Sequence, residues 1–203
     1  MVAPKRKRKA TYRDVLAAPE HKVAEIVDGE LHVSPRPASR HTLSMSKLGA
    51  LLISSFDFGH GGGPGGWIIM VEPELHFGKD VVVPDLAGWR RERMPHVEDV
   101  NYFTLAPDWI CEGLSKSTVK LDRVTKMRVY AKAGVEFAWL LDARLLTLEV
   151  YRRVEDNWQL VDLYADGQVI RAVPFEAIEL SLADLWRDLP TRAGEAVGVY
   201  SQY

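Results

Sequence analysis

Residues 118–133, "TVKLDRVTKMRVYAKA", limit the fold more than any other stretch of the chain. Val119, Val124, Met127, Val129, Tyr130 and Ala133 recur at helical spacing and give one apolar side. Gly134 is a natural C-cap, because glycine enters the left-handed conformation without a Cβ penalty. Short apolar runs bracket this helix, "PDWICEGLS" before it and "VEFAWLLD" after it, and both read as strands. One long helix set between strands makes the chain mixed α/β, α+β-like in its excess of strand.

The remaining pattern agrees. "TYRDVLAAPE" reads as a short helix with Thr11 as N-cap and Pro19 near its stop. "AEIVDGELHVSP" reads as a hairpin turning at Asp28-Gly29. "SRHTLSMSKLGALLISSF" spaces Leu43, Leu48, Leu51 and Leu52 as a helix that packs on a sheet. "GHGGGPGGW" is a surface loop, and it lacks the Gly-Lys-Ser/Thr ending of a nucleotide-binding loop. "WIIMVEPELHFG" and "DVVVPDLAGWR" read as two adjacent strands joined around Gly78-Lys79-Asp80, with Pro84 at a strand edge, a bulge or the end of a ladder. "LTLEVYRRV", "WQLVDLY" and "QVIRAV" are further strands, and "IELSLADLWRDLP" holds a short helix.

Length and charge bound the rest. The 203 residues suit one domain with a sizeable core. The expected organisation is a basic disordered tail at 1–10, a single domain at 11–190 and a loose tail at 191–203. No run of about 18 apolar residues exists and no secretory signal opens the chain, so a cytoplasmic protein without a membrane span is expected. Lys5, Arg6, Lys7, Arg8 and Lys9 carry +5 of a net charge of −2, leaving −7 for the remainder. Such a tail solubilises the end, holds phosphate backbones by non-specific attraction, or serves a membrane or targeting role. Cys111 is the one cysteine, which excludes an intrachain disulfide and a cysteine zinc site. No nucleophile elbow surrounds Ser115.

Four residues stand out as candidates to carry chemistry. Glu72 ends the apolar run "IIMV", Asp85 follows "VVVP", Glu112 follows "DWIC", and Lys126 lies inside the long helix. Carboxylates at the ends of neighbouring strands converge, and hard oxygen ligands suit Mg²⁺ or Mn²⁺. By spacing alone, an acid at a strand end is more often a solvated edge or turn residue, and Lys126 reads as a solvated helix residue.

"AEIVDGEL", His41 before its helix, "VVVPDLAGW", "PDWICEGLS", "DRVTKMRVYAKAGVEFAWLLD" and "PFEAIELSLADLW" together resemble the large bacterial Uma family. That family is a branch of the PD-(D/E)XK nuclease superfamily, labelled as restriction endonucleases, and the resemblance runs over residues 11–189. It implies a restriction-endonuclease-like fold, a curved mixed sheet flanked by helices. It implies a DNA endonuclease in which Asp85 and Glu112 bind Mg²⁺ or Mn²⁺, with Glu72 as a further ligand and the Gly113 carbonyl nearby. The superfamily's lysine, two residues after the Glu, is absent: position 114 is Leu. In this family it looks displaced onto the following helix as Lys126, which would orient the attacking water or offset charge. Asp122, four residues earlier, shares its helical face and either holds it or forms a surface pair.

Glu25 and Glu30 resemble family acids bordering the site. His41 either approaches the cleft or caps its helix. Glu74 competes with Glu72, because both would share one strand face. Lys116, where the family has "Ser-Pro", either contacts a phosphate or is a loop lysine. Gly113, where the family has an apolar residue, loosens a strand that must place a ligand. The implied partner is DNA, and cutting both strands makes a homodimer plausible. Two other function classes stay open. A non-catalytic nucleic-acid- or partner-binding domain would bind without metal dependence, and a hydrolase of another phosphate ester would keep the acids but ignore DNA.

Overall fold

The structure is a computed structural model that describes residues 8–189. Lys5, Arg6 and Lys7 of the basic run, and the tail expected at 191–203, lie outside them. Arg8 lies within, its Nη2 2.7 Å from Asp14 Oδ1, and Ala10 donates its N–H to Gly29 O beside Lys9. Helix α1 (Tyr12–Leu16) follows Thr11, whose N–H donates to Asp14 Oδ2 at 2.7 Å. That acidic residue satisfies a donor the first turn leaves free.

The first hairpin forms as read, from β1 (Lys22–Val27) and β2 (Glu30–Pro35). Asp28 and Gly29 take φ of 54° and 80°, the left-handed conformation that a tight two-residue turn requires. Helix α2 (Ser39–Leu52) continues into a π-helical turn at Ile53–Asp57. The glycine-rich loop follows.

The next stretch departs from the expectation of two adjacent strands. Each arm is broken in two, giving β3 (Trp67–Val71), β4 (Leu75–Phe77), β5 (Asp80–Val82) and β6 (Leu86–Arg90). β3 pairs with β6 and β4 with β5, so the hairpin topology holds while both ladders stop midway. Pro73 interrupts one arm and Pro84 the other; neither has an N–H to give a ladder. Glu72 adds a φ of 48° at the break. Of the three places open to Pro84, the structure selects the end of a ladder.

The chain continues through β7 (Trp109–Gly113), a π-helical segment at Leu121–Lys126 leading into α3 (Met127–Ala133), β8 (Phe137–Asp142), β9 (Thr147–Val154) and β10 (Asn157–Ala165). It ends with β11 (Val169–Ile170), β12 (Leu180–Ser181) and α4 (Leu182–Trp186). Gly134 caps α3 with φ 93°.

Because of the break, the hairpin serves two sheets. Its base joins a six-stranded sheet ordered β10-β9-β8-β7-β6-β3, and its tip joins a four-stranded sheet ordered β2-β1-β5-β4. In the larger sheet β7 and β8 run parallel and the other neighbours antiparallel. The parallel pair needs a crossover, and α3 supplies it. The fold is thus mixed α/β with flanking helices, but the single curved sheet of the expectation is replaced by two principal sheets.

Side chains of the large sheet alternate between two cores. Trp109, Cys111, Trp139 and Leu141 face α2 and α4, in a cluster with Leu48, Phe56 and Leu185. Ile110, Ala138 and Leu140 face the other way, with Val27 and Val82 of the small sheet and Met127 and Tyr130 of α3. No helix among the described residues is long and apolar enough to cross a membrane.

Candidate functional site

The break in the hairpin places the site. β6 pairs with β7 at Leu86↔Cys111, which sets Asp85, just past Pro84, beside Glu112. The Gly113 N–H donates to Asp85 Oδ2 at 2.7 Å. The other oxygen, Oδ1, lies 2.7 Å from His41 Nε2 on the first turn of α2. His41 therefore approaches the cleft and orients Asp85. Burial lowers its pKa, but the hydrogen bond and charge of Asp85 outweigh that and raise it. Its Nδ1 is buried with no hydrogen-bond partner among the described residues.

Gly113 has a role the sequence did not disclose. A Cβ built on it would lie 2.6 Å from His41 Cε1 and 2.9 Å from Nδ1. The imidazole lies flush against the strand, and only glycine leaves it room. What read as a loosened strand is a close contact, and the Gly113 group aimed at the site's acid is its N–H rather than its carbonyl.

Glu112 projects from β7 to the opposite face, toward α3. Its Oε1 accepts from Tyr130 Oη at 2.5 Å and lies 2.7 Å from Lys126 Nζ. The lysine also reaches Glu25 Oε1 at 2.8 Å and the Val83 carbonyl at 3.2 Å, with Asp122 Oδ1 further off at 3.9 Å. Lys126 is 2% exposed, so it is not a solvated helix residue, and Asp122, at 4%, forms no surface pair. Glu25 Oε1 accepts the Val83 N–H at 2.8 Å as well, so Glu25 and Lys126 together pin the segment that carries Asp85. Leu114, where the resemblance leads one to expect a lysine, packs in the apolar core instead. Asp122 and Lys126 lie in the π-helical segment, an irregularity that recurs at functional sites.

One cation among three buried carboxylates leaves negative charge in surplus. Burial pushes the Glu112 carboxyl well up, against the pull of Lys126. Burial raises Asp122 to about 6. Burial opposes the Lys126 ammonium, yet Glu112 and Glu25 more than offset it and hold its pKa well above the ordinary value. The Tyr130 phenol is raised by burial and by Glu112, so it remains a donor.

Glu25, His41, Glu72, Asp85, Glu112 and Lys126 line one cavity of about 490 Å³, joined there by Gly113, Lys116 and Asp122. Glu30 is not among its lining residues; it is exposed at the start of β2. Glu72 and Glu74 do not share a strand face, because β3 ends at Val71. Glu72 lines the cavity with its Oε2 3.5 Å from Arg36 Nη1, whereas Glu74 turns away to His76 Nε2 at 2.7 Å. Sequence reading missed Tyr130 as a polar partner of the site, having counted it on the apolar side of its helix. Its place four residues after Lys126 and eight after Asp122 was the available signal.

Among the described residues no group of three or more His, Cys, Asp and Glu side chains is gathered as a metal site. The donor chemistry nevertheless fits a hard cation. Asp85 and Glu112 border the same cavity, the buried Glu25, Glu112 and Asp122 within it share the one buried ammonium of Lys126, and each Asp85 oxygen accepts a single described hydrogen bond, leaving lone-pair capacity. Mg²⁺ typically takes one or two protein carboxylates and completes its shell with waters and substrate phosphate.

Comparison with known proteins adds three findings. The Uma2 family model, described as "Putative restriction endonuclease", matches residues 10–183. No curated protein matches the chain. Among solved structures, the crystal structure of "a putative nuclease belonging to DUF820" from Anabaena variabilis ATCC 29413 aligns with a TM-score of 0.69. That match covers 87% of this chain and 97% of the other at 24% identity, a likeness of fold.

Proposed function

The chain belongs to the Uma2 family, and from that membership and the buried carboxylate–lysine cluster we propose that it is a Mg²⁺- or Mn²⁺-dependent DNA endonuclease, with its site in one domain at 11–190. The observation that carries the reading is Lys126. It leaves the helix to meet Glu112 at 2.7 Å inside the cavity that Asp85 lines, while Leu114 is buried in the core. A lysine supplied from the helix does the work of one missing from the strand, and its flexible four-carbon stem permits that migration.

In this reading Asp85 and Glu112 would hold the ion, with Glu72 nearer the mouth. The ion would polarise a phosphate oxygen and make a bound water more acidic. The chain's own groups do the rest. His41 and the Gly113 N–H fix the two oxygens of Asp85. Tyr130 fixes Glu112. Lys126 offsets negative charge growing on the phosphoryl oxygens as water attacks in line, and Glu25 holds the ammonium in place. The product is DNA cut with 5′-phosphate ends, and cutting both strands calls for two copies or for repositioning of one.

The test is cleavage of single-stranded, duplex and supercoiled DNA with Mn²⁺ or Mg²⁺, beside Asp85→Ala and Lys126→Ala. Cutting by the parent that disappears in both variants and with chelator is the expected result. Cutting that survives Asp85→Ala refutes the site. Binding without cutting on every substrate favours a non-catalytic nucleic-acid-binding domain instead.

A further inference from the structure

The cavity is acidic within and basic at its mouth. Its interior holds Glu25, Glu112, Asp122 and Lys126, each 4% exposed or less. Arg36, Lys116 and Arg144 come to its lining from three separate loops, and Arg40 from the first turn of α2. These cations are not equivalent. Arg40 Nη1 donates to Ala143 O at 3.1 Å, and Arg144 Nη2 lies 2.6 Å from Asp142 Oδ2, so both are tied to the fold. Lys116 is exposed and makes no hydrogen bond or ion pair among the described residues. Arg36 is 57% exposed and has only a long contact, 3.5 Å, to the half-exposed Glu72. An exposed pair of that length is worth little and yields readily to a better anion.

Lys126, held by Glu25, Glu112 and the Val83 carbonyl, is committed to the reacting centre and does not reach the phosphates on either side of it. Two uncommitted cations therefore stand beyond the reacting centre, on different loops. A lone phosphate ester at the centre would leave both unused. A strand with phosphates on either side of the reacting one would use both, through sequence-independent contacts of the kind that position a backbone.

Resting on the nuclease reading, we propose that Arg36 and Lys116 bind the phosphates flanking the scissile one. The ligand class of this cavity is then a polynucleotide backbone rather than a mononucleotide or a small phosphate ester.

The test is binding of the full chain to a short labelled duplex by fluorescence anisotropy, with chelator present so that nothing is cut, over a series of salt concentrations. Each phosphate contact contributes about 0.9 to the slope of log K against log salt on duplex DNA. Arg36→Ala and Lys116→Ala should each lower the magnitude of the slope by about 0.9, and the double variant by about 1.8. Arg171→Ala, an exposed cation away from the cavity, should leave it unchanged. The N-terminal basic residues contribute equally to parent and variants and cancel in the difference. A double variant with the parental slope overturns the proposal, as does a parent that does not bind the duplex. Lowered slopes in a protein that never cuts DNA would uphold the phosphate grip and refute the nuclease reading alone.

Discussion

Strand β7 has a buried carboxylate at each end, and the two are built differently. Asp108, just before the strand, is 3% exposed; its Oδ2 accepts the Arg90 N–H at 2.8 Å. Its Oδ1 faces Arg90 Nη1 at 3.3 Å and Arg93 Nη1 at 2.8 Å, and Arg90 reaches on to Glu136 at 2.9 Å. Two arginines meet two carboxylates, and the arginines remain partly in solvent. At the other end Glu112 shares one lysine with Glu25 and Asp122, all of them out of solvent and beside a cavity. The first cluster is balanced and fastens loops to a strand. The second holds more negative charge than it neutralises. Such a surplus is expensive in a low-dielectric interior, and strongly perturbed acids beside a cavity are a mark of function rather than of fastening.

The comparison breaks first at Lys126. Lys126→Ala leaves three buried carboxylates without their cation, and removing one partner of a buried pair costs about 3–5 kcal/mol. Urea unfolding at neutral pH should show a loss of that size together with loss of cleavage. A loss under about 1 kcal/mol, typical of an exposed pair, would mean that the cluster is as ordinary as the one at Asp108.

Asp122 tests the surplus directly. Its pKa is raised from 3.8 to about 6, so the folded protein binds that proton more tightly than the unfolded chain. The stability it contributes is complete below pH 3.8 and is lost as pH rises through about 6. Asp122→Asn removes that dependence. The variant should gain about 2–3 kcal/mol at pH 8 relative to the parent, at 1.36 kcal/mol per unit. The gain should vanish near pH 4. Thermal melts at the two pH values check it, and an Asn variant less stable at pH 8 would show that Asp122 is needed as an anion to hold Lys126.

Gly113 also shows what the sequence could and could not convey. That Asp85, Glu112 and Lys126 come to one cavity was legible, because each follows or lies in a strongly patterned element and the family resemblance grouped the three. The glycine was misread, because its meaning depends on an imidazole 72 positions earlier that no local pattern reveals. The two-sheet arrangement was hidden for a related reason. Pro73 and Pro84 are visible, but apolar β-compatible runs continue beyond each break, and only pairing with β1 diverts the hairpin tip into a second sheet. Glu30 was drawn toward the site by its resemblance to a family acid; it sits at the exposed end of the hairpin and does not line the cavity. Gly113→Ala should cost about 1–3 kcal/mol through overpacking on His41. Pairing it with His41→Ala should recover part of that loss, and strict additivity of the two variants would show that the ring and the strand do not touch.

The smallest effect belongs to the balanced end of β7. Arg93→Ala removes a guanidinium that is 39% exposed, and it leaves Asp108 with both the N–H and the side chain of Arg90. Solvent screens the lost pair and the buried acid keeps its donors, so the expected change in stability is below about 1 kcal/mol. DNA cleavage should be unaltered. The contrast with Lys126 rests on the number of remaining partners rather than on burial of the carboxylate, because Asp108 and Glu112 are equally buried, each 3% exposed. A loss above about 2 kcal/mol in Arg93→Ala would show that burial of the acid alone sets the penalty, and the distinction between a fastening cluster and a functional one would then have to rest on the cavity.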